Sequence, residues 1–155
     1  MGTSLVDKRE DLQLLVVGNN PTELSKVLDR IGELRTQKIV ARIAFDLKSS
    51  LQCLTKFNPS FILIDDNIGR VELRQTMNRF LHFRKTKHAP ITILKNSNYQ
   101  ETVSEGALNY ILKSNLTGEL LYKTLVNSLT NLKTQRFIQL AYKKRKGQLL
   151  RMIKD

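Results

Sequence analysis

The chain has 155 residues, 41% of them hydrophobic and 26% charged, which is typical of one soluble globular domain with its own core. No apolar run approaches the ~20 residues needed to cross a bilayer. The first residues, MGTSLVDKREDLQ, lack the apolar segment of a secretory signal, and the single cysteine, Cys53, has no partner for an internal disulfide. We therefore expect a cytoplasmic protein that does not insert into membranes.

The net charge of +12 is concentrated near the C-terminus. Residues 133–155 contain eight Lys and Arg and one acid, or +7, whereas residues 1–132 contain 18 Lys and Arg and 13 acids, or +5. We therefore divide the chain into a flexible N-terminal segment (1–11), a domain (12–132) and a basic C-terminal helical extension (133–155).

The first elements predicted along the chain are a strand and a helix. Residues 12–17, LQLLVV, form a short apolar run that the turn residues 18–21, GNNP, close. Asn20 is expected to cap the helix, with Pro21 in its first position. An apolar stripe at helical spacing predicts an amphipathic helix; it consists of Leu24, Val27, Leu28, Ile31 and Leu34.

This alternation of strand and helix continues to the end of the domain. Further strands are predicted at residues 38–43, 61–64, 90–94 and 109–112. Further helices are predicted to begin near Asp46, Leu73, Tyr99 and Thr117, the last with Leu116 and Leu121 as a hydrophobic staple. Five strands alternating with five helices predict a parallel sheet covered on both faces, which is a doubly wound α/β fold.

The third predicted strand, Phe61–Ile64, is apolar at every position, so we expect it to be buried on both faces. In a parallel sheet the functional crevice lies at the carboxyl ends of the strands. The residues that follow the strands there are Gly18-Asn19-Asn20, Asp65-Asp66-Asn67, Lys95-Asn96-Ser97 and Lys113-Ser114. The sequence therefore predicts a polar crevice of acids, amides and lysines at one edge of the sheet.

From Leu12 to Leu132 the chain resembles a response-regulator receiver domain, the phosphoacceptor module of two-component signalling. In PSFILID, Asp65 matches the phosphorylated aspartate; in GALNYILKS, Lys113 matches the characteristic lysine, and Tyr110 falls at the switch aromatic. The resemblance implies a flavodoxin-like sheet of order 2-1-3-4-5 and a histidine kinase or other signalling protein as partner. It also implies protein contacts, homodimerisation among them, through the fourth helix, fifth strand and fifth helix.

The resemblance further implies a Mg²⁺ site, which this sequence alters. The family binds Mg²⁺ with an acid pair after the first strand, the phosphoacceptor and a backbone carbonyl two residues later. Here Gly18 and Asn19 replace the acid pair, and Gly69 replaces the proline of the following loop. Because Mg²⁺ prefers carboxylate oxygens, we expect weak or absent Mg²⁺ binding, with Asn19, Asp65 and Asn67 as the remnants of its site.

Lys95 stands where the family has a hydroxyl residue, so Lys95 and Lys113 are both placed to converge on Asp65. An opposite charge ~4 Å away is worth about 4 kcal/mol at an effective dielectric of 20, before desolvation. We therefore hypothesise a degenerate receiver in which a lysine replaces the metal ion. The alternatives are Asp65 as a capping acid, Lys95 as an exposed loop lysine and Tyr110 as a half-buried strand residue; Asp66 is expected to be a solvated loop residue.

The extension, which includes Lys143, Lys144, Arg145 and Lys146, leaves three interpretations open. It is a solvated continuation of the last helix interrupted near Gly147, an output or homodimerisation helix, or an electrostatic contact with nucleic acid or anionic lipid. The alternative function is thus a nucleic-acid-binding protein that uses the same scaffold. We expect no enzyme activity, because no nucleophile, base and orienting group occur together.

Overall fold

The computed structural model of the chain describes residues 11–35, 37–96 and 109–154. The strands within these ranges are β1 (Leu12–Val17), β2 (Ile39–Ala44), β3 (Phe61–Asp65), β4 (Ile91–Lys95) and β5 (Asn109–Leu112). The helices are α1 (Pro21–Gly32), α2 (Leu47–Cys53), α3 (Arg70–His82) and α4 (Gly118–Lys154). The strands form one sheet of order β2-β1-β3-β4-β5 in which every pair is parallel.

This topology confirms the doubly wound, flavodoxin-like class predicted from the sequence. The five strands begin and end within one residue of their expected bounds, because the turn residues that flank each apolar run are local signals. Two predictions lie outside the described residues: the flexible segment 1–11, except for Asp11, and the short helix near residues 99–105.

The core consists of two layers, one on each face of the sheet. In β3, Phe61 and Leu63 pack with α1 and α4, whereas Ile62 and Ile64 pack on the opposite face with α2 and α3. All four side chains are fully buried, as the uninterrupted apolar run predicts. The central strand thus carries the chain directly into Asp65 with hydrophobic layers on both sides.

Local capping fixes where the first two helices begin. The Asn20 side chain accepts hydrogen bonds from the backbone N–H groups of Thr22 (3.0 Å) and Glu23 (3.3 Å). Asp46 and Ser49 form a reciprocal capping box at the start of α2. These bonds satisfy amide groups that have no partner within their helix, and they hold the β1–α1 loop at the carboxyl edge of the sheet.

The last helix is continuous from Gly118 to Lys154. The expected staple is present, since Leu116 and Leu121 on either side of Thr117 are both buried in the core. The interruption expected near Gly147 is wrong: one glycine weakens a helix by only about 1 kcal/mol, and strong helix formers flank it. Among the described residues, no helix combines the length and the apolar character that a membrane span requires.

Replacing Asn20 with Ala should lower the free energy of unfolding by about 1 kcal/mol, because two N–H groups of α1 lose their acceptor. Urea unfolding followed by circular dichroism measures the change. Asn20→Asp keeps an acceptor oxygen in place and should retain the stability of the unmodified chain. Equal losses in the two variants would contradict the capping role.

Candidate functional site

The polar residues predicted to line a crevice lie together at the carboxyl edge of the sheet. Asp65 ends β3, Lys95 ends β4, Lys113 follows β5 directly, and Gly18 and Asn19 follow β1. Sequence reasoning thus located this set correctly. The order of the strands brings together residues as far apart in sequence as Gly18 and Lys113.

An ion pair between Lys113 and Asp65 is the central contact of the crevice. The Lys113 ammonium lies 2.6 Å from Asp65 Oδ1, and the two side chains are only 14% and 1% exposed. The same oxygen accepts a hydrogen bond from the Asn67 N–H at 2.9 Å. Asp65 therefore caps the short 3₁₀ helix Asp66–Ile68 and meets a cation as well, so the two interpretations of this residue are compatible.

The ion pair leaves hydrogen-bonding capacity unused. Asp65 Oδ2 and Lys113 Nζ are both buried, and neither has a hydrogen-bond partner in the part of the chain that the structure describes. The ammonium contacts Oδ1 as an ion pair, outside the angles of a hydrogen bond. Buried polar atoms usually have a hydrogen-bond partner, so these two atoms are exceptions among the buried polar atoms of the described residues.

A network of amide side chains joins the loops that follow β1, β3 and β4. Asn19 Nδ2 donates to the Asn67 carbonyl oxygen at 3.1 Å. Asn96 Nδ2 donates to Asp66 Oδ1 at 2.8 Å and also to Asn67 Oδ1. Sequence analysis placed Asn96 at this edge but gave it no role; the only signal for one was its position directly after the fourth strand.

Asp66 differs from the expectation of a solvated loop residue. It is half-buried, and its carboxylate accepts from both the backbone N–H and the side chain of Asn96. Burial raises the pKa of Asp66, while the Asn96 backbone hydrogen bond and the charges of Lys113 and Lys95 act against that rise. Chain geometry explains the difference, because the 3₁₀ turn directs Asp66 toward the loop after β4.

Two glycines shape the crevice. A Cβ added to Gly18 would lie 2.8 Å from Leu24 Cδ2 and 3.2 Å from Asp65 Cβ, so a larger residue there requires Leu24 to move. Gly69, where the family has a proline, has φ +94°, which the ring of proline forbids. The departures of this sequence from the receiver pattern are therefore built into its packing and its loop geometry.

Lys95 does not take the exposed position that one interpretation allowed. It is 8% exposed, and its ammonium lies 5.5 Å from the centroid of the Tyr110 ring, within the range of a cation–π interaction. Tyr110 itself is about one-third exposed on β5, an edge strand of the described sheet. Lys95 thus packs against the Tyr110 ring, and Lys113 forms the ion pair with Asp65.

The oxygen atoms available to a metal ion are few. Within the described ranges, no group of three or more His, Cys, Asp or Glu side chains could hold one. Because the Asn67 carbonyl oxygen can only accept, the amide nitrogen of Asn19 must be the atom that faces it. The basic residues Lys143, Lys144, Arg145 and Lys146 take no part, since Lys143 lies about 38 Å along α4 from its start.

Comparison with solved structures finds receiver domains. The Vibrio cholerae chemotaxis response regulator CheY4 matches with TM-score 0.61 and 18% identity, covering 77% of this chain and 99% of its own. The receiver domain of the Pseudomonas aeruginosa PAO1 sensor histidine kinase PA1611, whose structure has magnesium in the active-site cleft, matches with TM-score 0.63 and 14% identity over 78% and 99%. A signal receiver domain of an HD domain-containing protein from Pseudomonas fluorescens Pf-5 matches with TM-score 0.65 and 14% identity. This match covers 81% of this chain and 99% of its own.

These likenesses establish the fold. Profiles of known protein families and curated protein sequences give no match to this chain. The chain is first of all a flavodoxin-like, doubly wound α/β protein. More narrowly, it has the fold of response-regulator receiver domains, as the sequence motifs indicated.

Replacing Lys113 with Met should lower the free energy of unfolding by about 3 kcal/mol, because it leaves Asp65 as a buried charge without its cation. The double variant Asp65→Asn/Lys113→Met removes the charge as well and should lose less than Lys113→Met alone. Urea unfolding of both variants and of Asp65→Asn completes the cycle. Additive losses would show that the pair is not energetically coupled.

Proposed function

We propose that this chain is a receiver-type signalling module of a two-component phosphorelay. In this proposal Mg²⁺-dependent phosphorylation is impaired, and the module acts through protein contacts rather than as an enzyme. The observation that carries the proposal is the Lys113–Asp65 ion pair at the carboxyl end of β3 in a chain with the receiver fold. Asp65 is the proposed phosphoacceptor, or its relic, and Lys113 is its cationic partner.

The proposed impairment rests on the atoms that face Asp65. Mg²⁺ takes octahedral oxygen ligands, carboxylates above all, and here Asp65 Oδ2 is the buried carboxylate oxygen without a partner. The Asn19 amide nitrogen donates a hydrogen bond to the Asn67 carbonyl oxygen. That oxygen is the one that the resemblance would assign to the metal. These residues do not fit a tight Mg²⁺ site, and we propose that Mg²⁺ binding is weak or absent.

Weak Mg²⁺ binding bears directly on phosphoryl transfer. Catalysis of that reaction depends on positioning the phosphoryl group and on neutralising its equatorial oxygens. Lys113 brings a single positive charge, which already lies against Asp65 Oδ1. We therefore expect any phosphoryl transfer to Asp65 to be slow. In the absence of a phosphoryl group, we expect the Lys113 ammonium to keep the Asp65 carboxylate in the ion-paired orientation.

Protein contacts are proposed for the predicted surface of the fourth helix, fifth strand and fifth helix. Of these, the fourth helix lies outside the described residues, the fifth strand is β5, and the fifth helix is the first half of α4. Tyr110 is the exposed aromatic residue of β5, and Lys95 connects it to the crevice, since the ammonium packs on the Tyr110 ring and its charge acts on Asp66. We assign Lys95 and Tyr110 as switch positions on this basis. The proposed partner is a cytoplasmic histidine kinase or other signalling protein, and a second copy of the chain could use the same surface.

Treatment with acetyl phosphate and Mg²⁺ should phosphorylate only a small fraction of the chain, because the metal is poorly held. Phos-tag gels and mass spectrometry measure the fraction and its position, and Asp65→Asn serves as the control without the acceptor. A stoichiometric, Mg²⁺-dependent adduct on Asp65 would disprove the impairment while supporting a working receiver. An adduct that persists in Asp65→Asn would disprove the acceptor assignment.

Replacing Asn19 with Asp should raise Mg²⁺ affinity about tenfold, since it adds a carboxylate ligand and removes the donor on the Asn67 carbonyl. Asn20→Asp is the matched control: it adds the same charge at the next residue, but that side chain caps α1. A Mg²⁺ titration followed by amide resonances, with and without beryllofluoride, compares the two. An equal effect of both variants would show that net charge, not metal ligation, governs binding.

A further inference from the structure

The second half of α4 carries apolar and basic side chains that the domain leaves uncovered. Every side chain that the structure describes between residues 138 and 146 is exposed. Ile138 is 60% exposed, and Leu140 and Tyr142 are each 67% exposed. The run Lys143–Lys146 is exposed throughout. Exposed apolar residues grouped in this way indicate an interaction surface.

Helical geometry separates these residues into two sides. With about 100° of rotation per residue, seven of the nine apolar residues in 133–154 fall within one arc of about 160°, and seven of the eight Lys and Arg fall outside it. Among the residues whose side chains the structure describes, Ile138, Ala141 and Tyr142 belong to this apolar arc. Leu140 lies on the basic side instead, and Arg145 is the one basic residue within the arc.

The middle of the apolar arc continues the exposed side of the first half of α4. Asn127, Ile138 and Leu149 follow one another at intervals of 11 residues, which is about three full turns. Asn127 is exposed, whereas Leu125 and Ser128 are buried against the domain. Leu120, about five turns before Ile138, is partly buried against the core, so the domain covers the other side of the helix and reaches only part of the side that carries the arc.

The distribution of charge around the arc favours a particular occupant. Lys144 and Lys146 stand at its two borders, and the extension carries +7 over residues 133–155. An amphipathic helix of this kind lies in the headgroup region of a bilayer with its apolar side down, while flanking lysines reach the lipid phosphates. The long stem of Arg145 can extend its guanidinium to the same level.

Two other occupants fit less well. A second copy of the chain packed on the arc would place Arg145 and the bordering lysines near their own like charges. A nucleic acid would contact the basic side and leave Ile138 and Tyr142 in water. We propose that the apolar arc of the second half of α4 binds the surface of an anionic lipid bilayer, with the domain held on the opposite side of the helix; this proposal is independent of the function proposed for Asp65.

Cosedimentation of the full chain with lipid vesicles tests the proposal. Binding is expected to vesicles of phosphatidylcholine and phosphatidylglycerol in equal amounts, with a marked decrease in high salt, because surface charge attraction is screened. Vesicles of phosphatidylcholine alone should bind the chain far less. Failure to bind the mixed vesicles, or equal binding to both kinds, would overturn the proposal.

Two matched variants separate the apolar arc from charge alone. Ile138→Asn and Leu140→Asn each place the same neutral residue at an exposed aliphatic position of α4, and circular dichroism checks that the helix is retained. Ile138→Asn should weaken vesicle binding about tenfold and Leu140→Asn about twofold or less. Equal weakening by the two variants would overturn the proposal.

The same variants identify the competing occupants. Sedimentation equilibrium of the chain without vesicles should give the same mass for the unmodified chain and for Ile138→Asn. A dimer that Ile138→Asn dissociates would assign the arc to a second copy. Binding to random duplex DNA should be weaker than binding to mixed vesicles at the same salt concentration. Tighter binding to DNA, unaffected by Ile138→Asn, would assign the helix to nucleic acid.

Discussion

The fold and the crevice both depend on one buried charge and its partner. Asp65 ends a strand whose four preceding residues are packed on both faces, so its carboxylate enters an environment in which an unpaired charge is destabilising by several kcal/mol. The compensating ammonium comes from Lys113, 48 positions further along the chain and two strands away in the sheet. The arrangement therefore requires β3, β4 and β5 to be in register, and it joins assembly of the sheet to assembly of the site.

Around this pair, Gly18 and Asn19 stand where the sequence resemblance would have placed acids. Asn19 holds the Asn67 carbonyl, Asn96 holds Asp66, and Leu24 fills the space beside Gly18. The two substitutions lower the negative charge beside Asp65, and the Asn19 side chain also donates to the carbonyl oxygen of Asn67, which a metal ion would use. Their common direction, rather than any one of them, is what supports the proposal of impaired phosphorylation.

The last helix packs on the domain over its first half and carries exposed side chains at the described positions of its second half. Its first half completes the core through Leu121 and Leu125, and this packing fixes which side of the helix faces the domain. Because α4 is continuous from Gly118 to Lys154, the same packing also sets the direction in which the second half presents its apolar arc. The packing of the first half of α4 thus orients the apolar arc of its second half.

The sequence by itself determined the strands, the two-sided burial of β3, the caps at Asn20 and Asp46 and the set of residues at the carboxyl edge, because periodicity and turn chemistry act over a few neighbouring residues. Only the tertiary structure decided that Lys113 forms an ion pair with Asp65, that Lys95 packs on the Tyr110 ring, that Asp66 is half-buried against Asn96, and that Gly18 packs against Leu24. Those outcomes depend on angstrom-scale distances between loops that are remote in sequence. No local pattern encodes such distances; the register of the strands and the packing of side chains between them set their values.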